Sequence, residues 1–168
     1  MASGSWFALY TRSRFEKQVN RLLKAQGFET YLPLILTTRK WSDRLKKVEV
    51  PIINSYVFVV HKPSDHKSFL KIVETPGVVR FVSFEGKPVS IPPCQIESLK
   101  KLNTEGYEME TVERPIAEGT EVEIKRGPLK GVKGTVVKGS EGSKQMLIIR
   151  IDVLDKDIQV KLPPGMLI

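Results

Sequence analysis

From Gly119 onward the sequence carries no helical period. Short runs alternate apolar and polar residues, as in Glu121-Val122-Glu123-Ile124 and in part from Lys133 to Lys138. Glycines at 127, 131, 134, 139 and 142 punctuate them. A period of two marks strands, and closely spaced glycines mark the turns between short ones. With Met146 to Val153 and Asp157 to Leu162 as further apolar runs, the pattern predicts a small barrel of about five strands.

The preceding residues follow another rule. Trp6 to Tyr10 predicts a strand. Ser13-Arg14-Phe15-Glu16 has capping-box form, and Phe15, Val19, Leu22 and Leu23 follow at helical spacing until Gly27. Phe28 to Leu36 and Val48 to Val60 predict strands joined by a charged connection. Ser64 is placed to cap a helix containing Phe69, Leu70 and Val73, which Thr75-Pro76-Gly77 ends. Val78 to Phe84 and Val89 to Ile91 predict two more strands, and Pro92-Pro93 opens a helix carrying Ile96, Leu99 and Leu102. The mixture predicts an α+β fold, one sheet with helices packed on it. Residues 103–117 are polar, acidic in bias and without a clean period. The expected division is a first domain over 1–104, a linker over 105–117 and the barrel over 118–168.

Charge separates the same two parts. Of 168 residues with net charge +8, residues 1–105 hold 17 Lys and Arg against 9 Asp and Glu, and residues 106–168 hold 10 against 10. The whole excess lies in the first part, where a polyanionic partner such as nucleic acid is expected. At about 100° per residue, Arg14, Lys17, Arg21 and Lys24 fall on one helix face, opposite Phe15, Val19, Leu22 and Leu23, with Arg12 just before them. Such a stripe can follow a phosphate backbone, or be a solvated face. Arg39, Lys40, Arg44, Lys46 and Lys47 crowd the charged connection around Trp41. That mixture suits single-stranded nucleic acid, where a ring stacks on a base, and equally suits a solvated hairpin tip.

PIINSYVFVV, residues 51–60, places Tyr56 and Phe58 two apart, on one face of a strand. That face either joins the core or offers two aromatics to a partner. Catalysis is not expected. Cys94, the single cysteine, and the two histidines lack both a triad pattern and metal-ligand spacing, and GPLKGVKG lacks the phosphate-loop spacing. No metal or cofactor is expected. No apolar run approaches the roughly 20 residues of a membrane helix, the N-terminus lacks secretion-signal form, and a cytoplasmic monomer is expected.

The stretch GTEVEIKRGPLKGVKGTVVKG, residues 119–139, resembles a KOW motif, with Gly127 and Gly131 shaping a turn and Gly134 allowing close strand passage. Upstream, WFALYTRSRFEKQVNRLLKAQGFETYLP, PIINSYVFV and TPGVVRF occur in the order found in the NusG family of transcription elongation factors. The resemblance covers nearly the whole chain. It implies an N-terminal NGN domain that grips the clamp helices of RNA polymerase, a linker, and a C-terminal SH3-like KOW barrel that recruits Rho or a ribosomal protein. It assigns Tyr56, Phe58, Phe81 and Phe84 to the polymerase-binding cavity, and Ser64 and His66 to the far side of the cleft. It also places the basic helix near upstream DNA and the non-template strand. The chain departs from the general pattern, with Ile53-Asn54-Ser55 in place of Phe-Pro-Gly and Ile151 to Asp155 in place of Ile-Phe-Gly-Arg. It is most similar to specialised RfaH-like and UpxY-type antitermination regulators of capsular polysaccharide operons. Within the family the alternative is a general factor working with Rho or the ribosome. Outside it, the alternative is an RNA-binding ribosomal KOW protein, against which the neutral C-terminal part argues.

Overall fold

The computed structural model describes residues 4–112, 119–125, 130–138 and 145–161. They fall into two compact units, one built from residues up to Leu32 with Ile53–Ile96 and Ile151–Asp155, the other from Pro33–Ile52, residues from Glu97 to Arg150 and residues from Lys156 on.

The first unit is organised by β1 (Ser5–Thr11), whose Trp6 to Leu9 are all buried. β1 pairs antiparallel with β5 (Tyr56–His61), from Ser5 opposite His61 to Tyr10 opposite Tyr56. On its other side it pairs with β6 (Val78–Phe81) and β9 (Ser90–Ile91), and the short β2 (Thr30–Tyr31) pairs with β5. Directly opposed residues share a face of a sheet. Phe7, Leu9, Val57, Val59, His61 and Phe81 therefore share one face. Trp6, Ala8, Tyr10, Tyr56, Phe58 and Val60 share the other.

Helix α1 (Glu16–Ala25) lies on the face that carries Val59 and Thr30. Thr30 Oγ1 donates to Asn20 Oδ1 at 2.6 Å. Val19 and Leu23 are fully buried, as their spacing predicts. The start of α1 differs from expectation. Its N-cap is Phe15 without a side-chain hydrogen bond, Ser13 lies in the preceding turn, and Arg14 has φ 67°. Glu16 does not reach back as in a capping box. It is buried, and its Oε1 accepts from the Ser55 amide at 2.6 Å.

Helix α2 (His66–Val73) is capped by Asp65, not Ser64. Asp65 Oδ1 accepts from the Ser68 amide and its Oδ2 from Ser68 Oγ. The helix begins at His66, so the capping position falls to Asp65 and Ser64 lies one residue before it. The expected strand from Val78 to Phe84 ends at Phe81, and Ser83–Phe84 (β7) pairs instead with Lys87–Pro88 (β8) around Glu85-Gly86, both at positive φ. Two residues of positive φ are what a tight hairpin turn needs. Helix α3 (Pro93–Thr104) buries Ile96, Leu99 and Leu102 completely.

In the second unit, β3 (Leu34–Lys40) and β4 (Leu45–Pro51) form a regular hairpin of seven opposed pairs. Two expected strands are thus each divided. Pro33 separates β2 from β3, and residues 52–55, with Ser55 at φ 65°, separate β4 from β5. Proline cannot donate to a ladder, and left-handed backbone interrupts one. The C-terminal sheet has the order β10 (Met109–Val112), β14 (Lys156–Lys161), β13 (Gln145–Ile151), β12 (Lys133–Lys138), β11 (Thr120–Glu123). β10 lies inside the stretch expected to be linker, and Thr111 Oγ1 donates to the Ile52 carbonyl at 2.7 Å. A 3-10 turn, Asp152–Leu154, joins β13 to β14 where no helical signal was read. Gly134 passes so close to β13 that a Cβ there would lie 2.5 Å from the Ile148 carbonyl oxygen. Gly131 has φ 88°, while Gly127 lies outside the described residues. Among the described residues, no helix is long and apolar enough to cross a membrane.

Glu16→Ala should destabilise the fold by about 1–3 kcal/mol, the cost of leaving a buried donor unmatched. Glu16→Gln keeps an acceptor oxygen and should recover part of that loss. Urea unfolding of the three proteins measures the difference.

Candidate macromolecular interface

The expected aromatic cavity residues do not all meet. Tyr56 is half-buried at the end of β5, opposite Tyr10 on β1, with ring centroids 5.6 Å apart. Tyr10 is 36% exposed, and Arg80 on β6 holds its guanidinium carbon 5.5 Å from the Tyr10 ring centroid. A cation over an aromatic ring is attracted by the ring's quadrupole. Tyr10, Tyr56 and Arg80 thus form an aromatic and cationic patch at one end of a sheet face.

Phe58 shares that face but is fully buried, stacked with Tyr31 at 6.3 Å. Phe81 is opposite Leu9 and so lies on the other face, within the ring cluster of Phe7, His61 and Phe69. Phe58 and Phe81 are therefore core residues on opposite sides of the sheet. Phe84 is 71% exposed on the β7–β8 hairpin. Sequence reasoning singled out neither Tyr10 nor Arg80. The signal was available in parity: Tyr10 falls two residues beyond Ala8, and Arg80 interrupts the apolar Val78-Val79-Arg80-Phe81.

The basic residues separate into two groups. Lys17, Arg21 and Lys24 are exposed along α1. Arg14 does not join their stripe, because it precedes the helix in a left-handed turn, and Arg12 is exposed between β1 and that turn. At the β3–β4 tip, the Trp41 amide donates to the Arg44 carbonyl at 2.8 Å. Trp41 is 58% exposed there, with Arg39, Lys40, Arg44, Lys46 and Lys47 also exposed. Opposed pairs place Arg39 and Lys46 on one face of the hairpin and Lys40 on the other, with Lys47. Both faces of this ribbon are cationic.

Ser64 and His66 are exposed at the start of α2, where His66 stacks on Phe69 with ring planes 9° apart. His61, by contrast, is 4% exposed among aromatic rings, and its Nδ1 has no hydrogen-bond partner among the described residues. Burial lowers its pKa below the ordinary imidazole value, with the Asp65 carboxylate opposing that shift. No group of three or more His, Cys, Asp or Glu side chains able to hold a metal occurs among the described residues.

The family model described as "Transcription termination factor nusG" matches residues 4–100. A search of curated proteins returns no match. Among solved structures, one described as "Domain interaction in Thermotoga maritima NusG" is similar at 20% identity and a TM-score of 0.55, over 98% of this chain and 96% of that one. A structure of the MjSpt4:Spt5 complex, in conformation B, has 18% identity and a TM-score of 0.32, over 91% and 95%.

The depressed imidazole has a consequence for stability. The unfolded chain binds a proton at His61 more readily than the folded one, so stability is full above the ordinary imidazole pKa and is lost as pH falls through the folded value. Asp65, held low by its Ser68 hydrogen bonds, loses its contribution only on further acidification, below the ordinary carboxylate value. Thermal melts between pH 7 and pH 5 should therefore show a falling Tm, and His61→Phe should flatten that fall.

Proposed function

The chain belongs to the NusG family, and on that premise we propose that it is a transcription elongation factor that docks on RNA polymerase and steadies nearby DNA, making and breaking no bonds. The observation that carries the docking step is the patch formed by exposed Tyr10 and Arg80 with half-buried Tyr56. Aromatic and arginine side chains are favoured anchors of protein interfaces: the rings bury much area while losing few rotamers, and the guanidinium offers a planar fork of donors. The clamp helices of polymerase are the expected partner. Phe58 lies buried on the same sheet face, and Phe84 supplies a separate exposed ring.

The cations of Lys17, Arg21 and Lys24 and those at the β3–β4 tip are the DNA-contacting surfaces. A phosphate backbone gains counterion release from such a row whatever its sequence, and Trp41 adds a stacking platform for an unpaired base. The C-terminal sheet acts as a KOW module that recruits a further partner, Rho or a ribosomal protein being the candidates. Operon-specific antitermination is the favoured form of the activity, because Ile53-Asn54-Ser55 departs from the general Phe-Pro-Gly. The departure has a backbone cost: Ser55 occupies φ 65°, where glycine fits without strain.

Tyr56→Ala should weaken polymerase capture at least about ten-fold, the effect of losing a moderate interface anchor. Its melting temperature should move by only a few degrees. Large thermal destabilisation with unchanged capture per folded molecule would assign Tyr56 to the core.

Changing Lys17, Arg21 and Lys24 together to Gln preserves helix propensity and leaves Val19 and Leu23 untouched. Affinity for an elongation complex should fall. The slope of log affinity against log salt should flatten by about two to three units, at about 0.7–0.9 per lost phosphate contact. Affinity for DNA-free polymerase should hardly change. Equal salt slopes would make the stripe a solvated face. Nascent-transcript sequencing with and without the gene then separates readthrough at a few operons from a genome-wide change.

A further inference from the structure

The ladder of the β3–β4 hairpin continues past Lys40 and Leu45. The Trp41 amide donates to the Arg44 carbonyl at 2.8 Å, and the Arg44 amide donates to the Trp41 carbonyl at 3.3 Å. Residues that exchange both bonds are an opposed pair, here one step beyond Lys40 and Leu45. Successive side chains alternate in face. Trp41 and Arg44 therefore share a face with Arg39 and Lys46, the pair two steps back. That face of the tip carries three cations and an indole. Thr38, Lys40, Leu45 and Lys47 form the other face, which has no ring.

The first face is open and uncompensated. All four of its side chains are exposed. Among the described residues, no ion pair engages Arg39, Arg44 or Lys46. The one carboxylate between Thr38 and Lys47 is Asp43, in the turn, and Glu49 belongs to the other face. Arg39 and Lys46 stand directly opposite each other, and like charges so placed destabilise a strand pair. A phosphate lying between them relieves that repulsion.

The indole discriminates between two states of a nucleic acid. In a duplex the interior bases are stacked on one another and offer no free face. An unpaired base offers one, and stacking on an aromatic ring holds it whatever its identity. Helix α1 presents Lys17, Arg21 and Lys24 but contains no aromatic residue, so its stripe answers to charge alone.

We propose that Arg39, Trp41, Arg44 and Lys46 form a single-strand site, which selects an unpaired strand over a duplex, whereas the α1 stripe does not distinguish the two. The inference rests on the DNA-contacting reading above and adds to it the strand state and the face. Trp41 stacks on one base, and the three cations take the phosphates beside it.

The test uses the full chain without polymerase, at low salt. The probes are a thymidine dodecamer, an abasic strand with the same number of phosphates, and a duplex whose ends are closed by non-nucleotide linkers. Binding is followed by anisotropy and by tryptophan emission. Of the two tryptophans, Trp6 is buried and Trp41 exposed, so quenching reports on Trp41. The thymidine strand should quench that emission saturably and bind at least about five-fold tighter than the abasic strand, the scale of one stacked base. The closed duplex should bind without quenching. Trp41→Ala, at an exposed position that should leave the fold intact, should bring the thymidine strand down to the abasic affinity and leave the duplex unchanged. Trp41→Phe should keep most of the preference. A uridine dodecamer run in parallel identifies the strand as RNA if it binds more tightly than thymidine, and as DNA if it binds less tightly. Equal affinity for the thymidine and abasic strands, or a preference that survives in Trp41→Ala, would overturn the proposal. So would polyglutamate binding as tightly as the thymidine strand, which would make the tip a site for an acidic protein. If all three nucleic-acid probes bind alike, the single-strand site falls and the DNA-contacting reading stands; if none binds, both fall.

Discussion

The N-terminal unit depends on β1 being hydrogen-bonded on both sides. Its register with β5 and β6 decides which residues face the helices and which face away. A slip of one residue would turn every side chain to the wrong face. If β1 slipped, Tyr10 would go under the helices, and His61 would lose Phe7 from its ring cluster. The register is secured at the Thr11 end by backbone and side chain together. The Thr11 amide donates to the Ser55 carbonyl at 2.9 Å, and the Ser55 amide donates to the buried Glu16 carboxylate. One serine in left-handed backbone thus ties the end of β1 to the first turn of α1 and the start of β5.

Much of this was legible in the sequence because it follows from periodicity. Val19 and Leu23 on α1, and Ile96, Leu99 and Leu102 on α3, are buried where helical spacing puts them. The four runs after Gly119 became strands within a few residues of their expected ends. What could not be read was long-range. Glu16 resembles a capping-box residue locally, yet its partner is Ser55, 39 positions away. Met109–Val112 has no strong strand signal of its own, and pairs because β14 offers an edge.

The candidate interface shows the same limit. Parity along β5 correctly puts Tyr56 and Phe58 on one face, but parity says nothing of depth, and Phe58 is buried whereas Tyr56 is only half so. Phe81 and Phe84 look like a pair in VVRFVSF. The strand ends between them, so one joins the core and the other points from a separate hairpin. The basic stripe was overextended by one residue for a similar reason: Arg14 fits the helical wheel, but the helix begins two residues later.

The β3–β4 hairpin has a different relation to sequence change. From Thr38 to Lys47, ten consecutive residues are exposed, and no core position lies among them. Substitutions at such positions usually shift stability by only about 0.5 kcal/mol in either direction. Selection can therefore alter the charge, aromatic content and length of this tip almost without reference to folding, whereas the β1 ladder permits little change. A lineage of such proteins can diversify the surface that the hairpin presents while inheriting the same sheet.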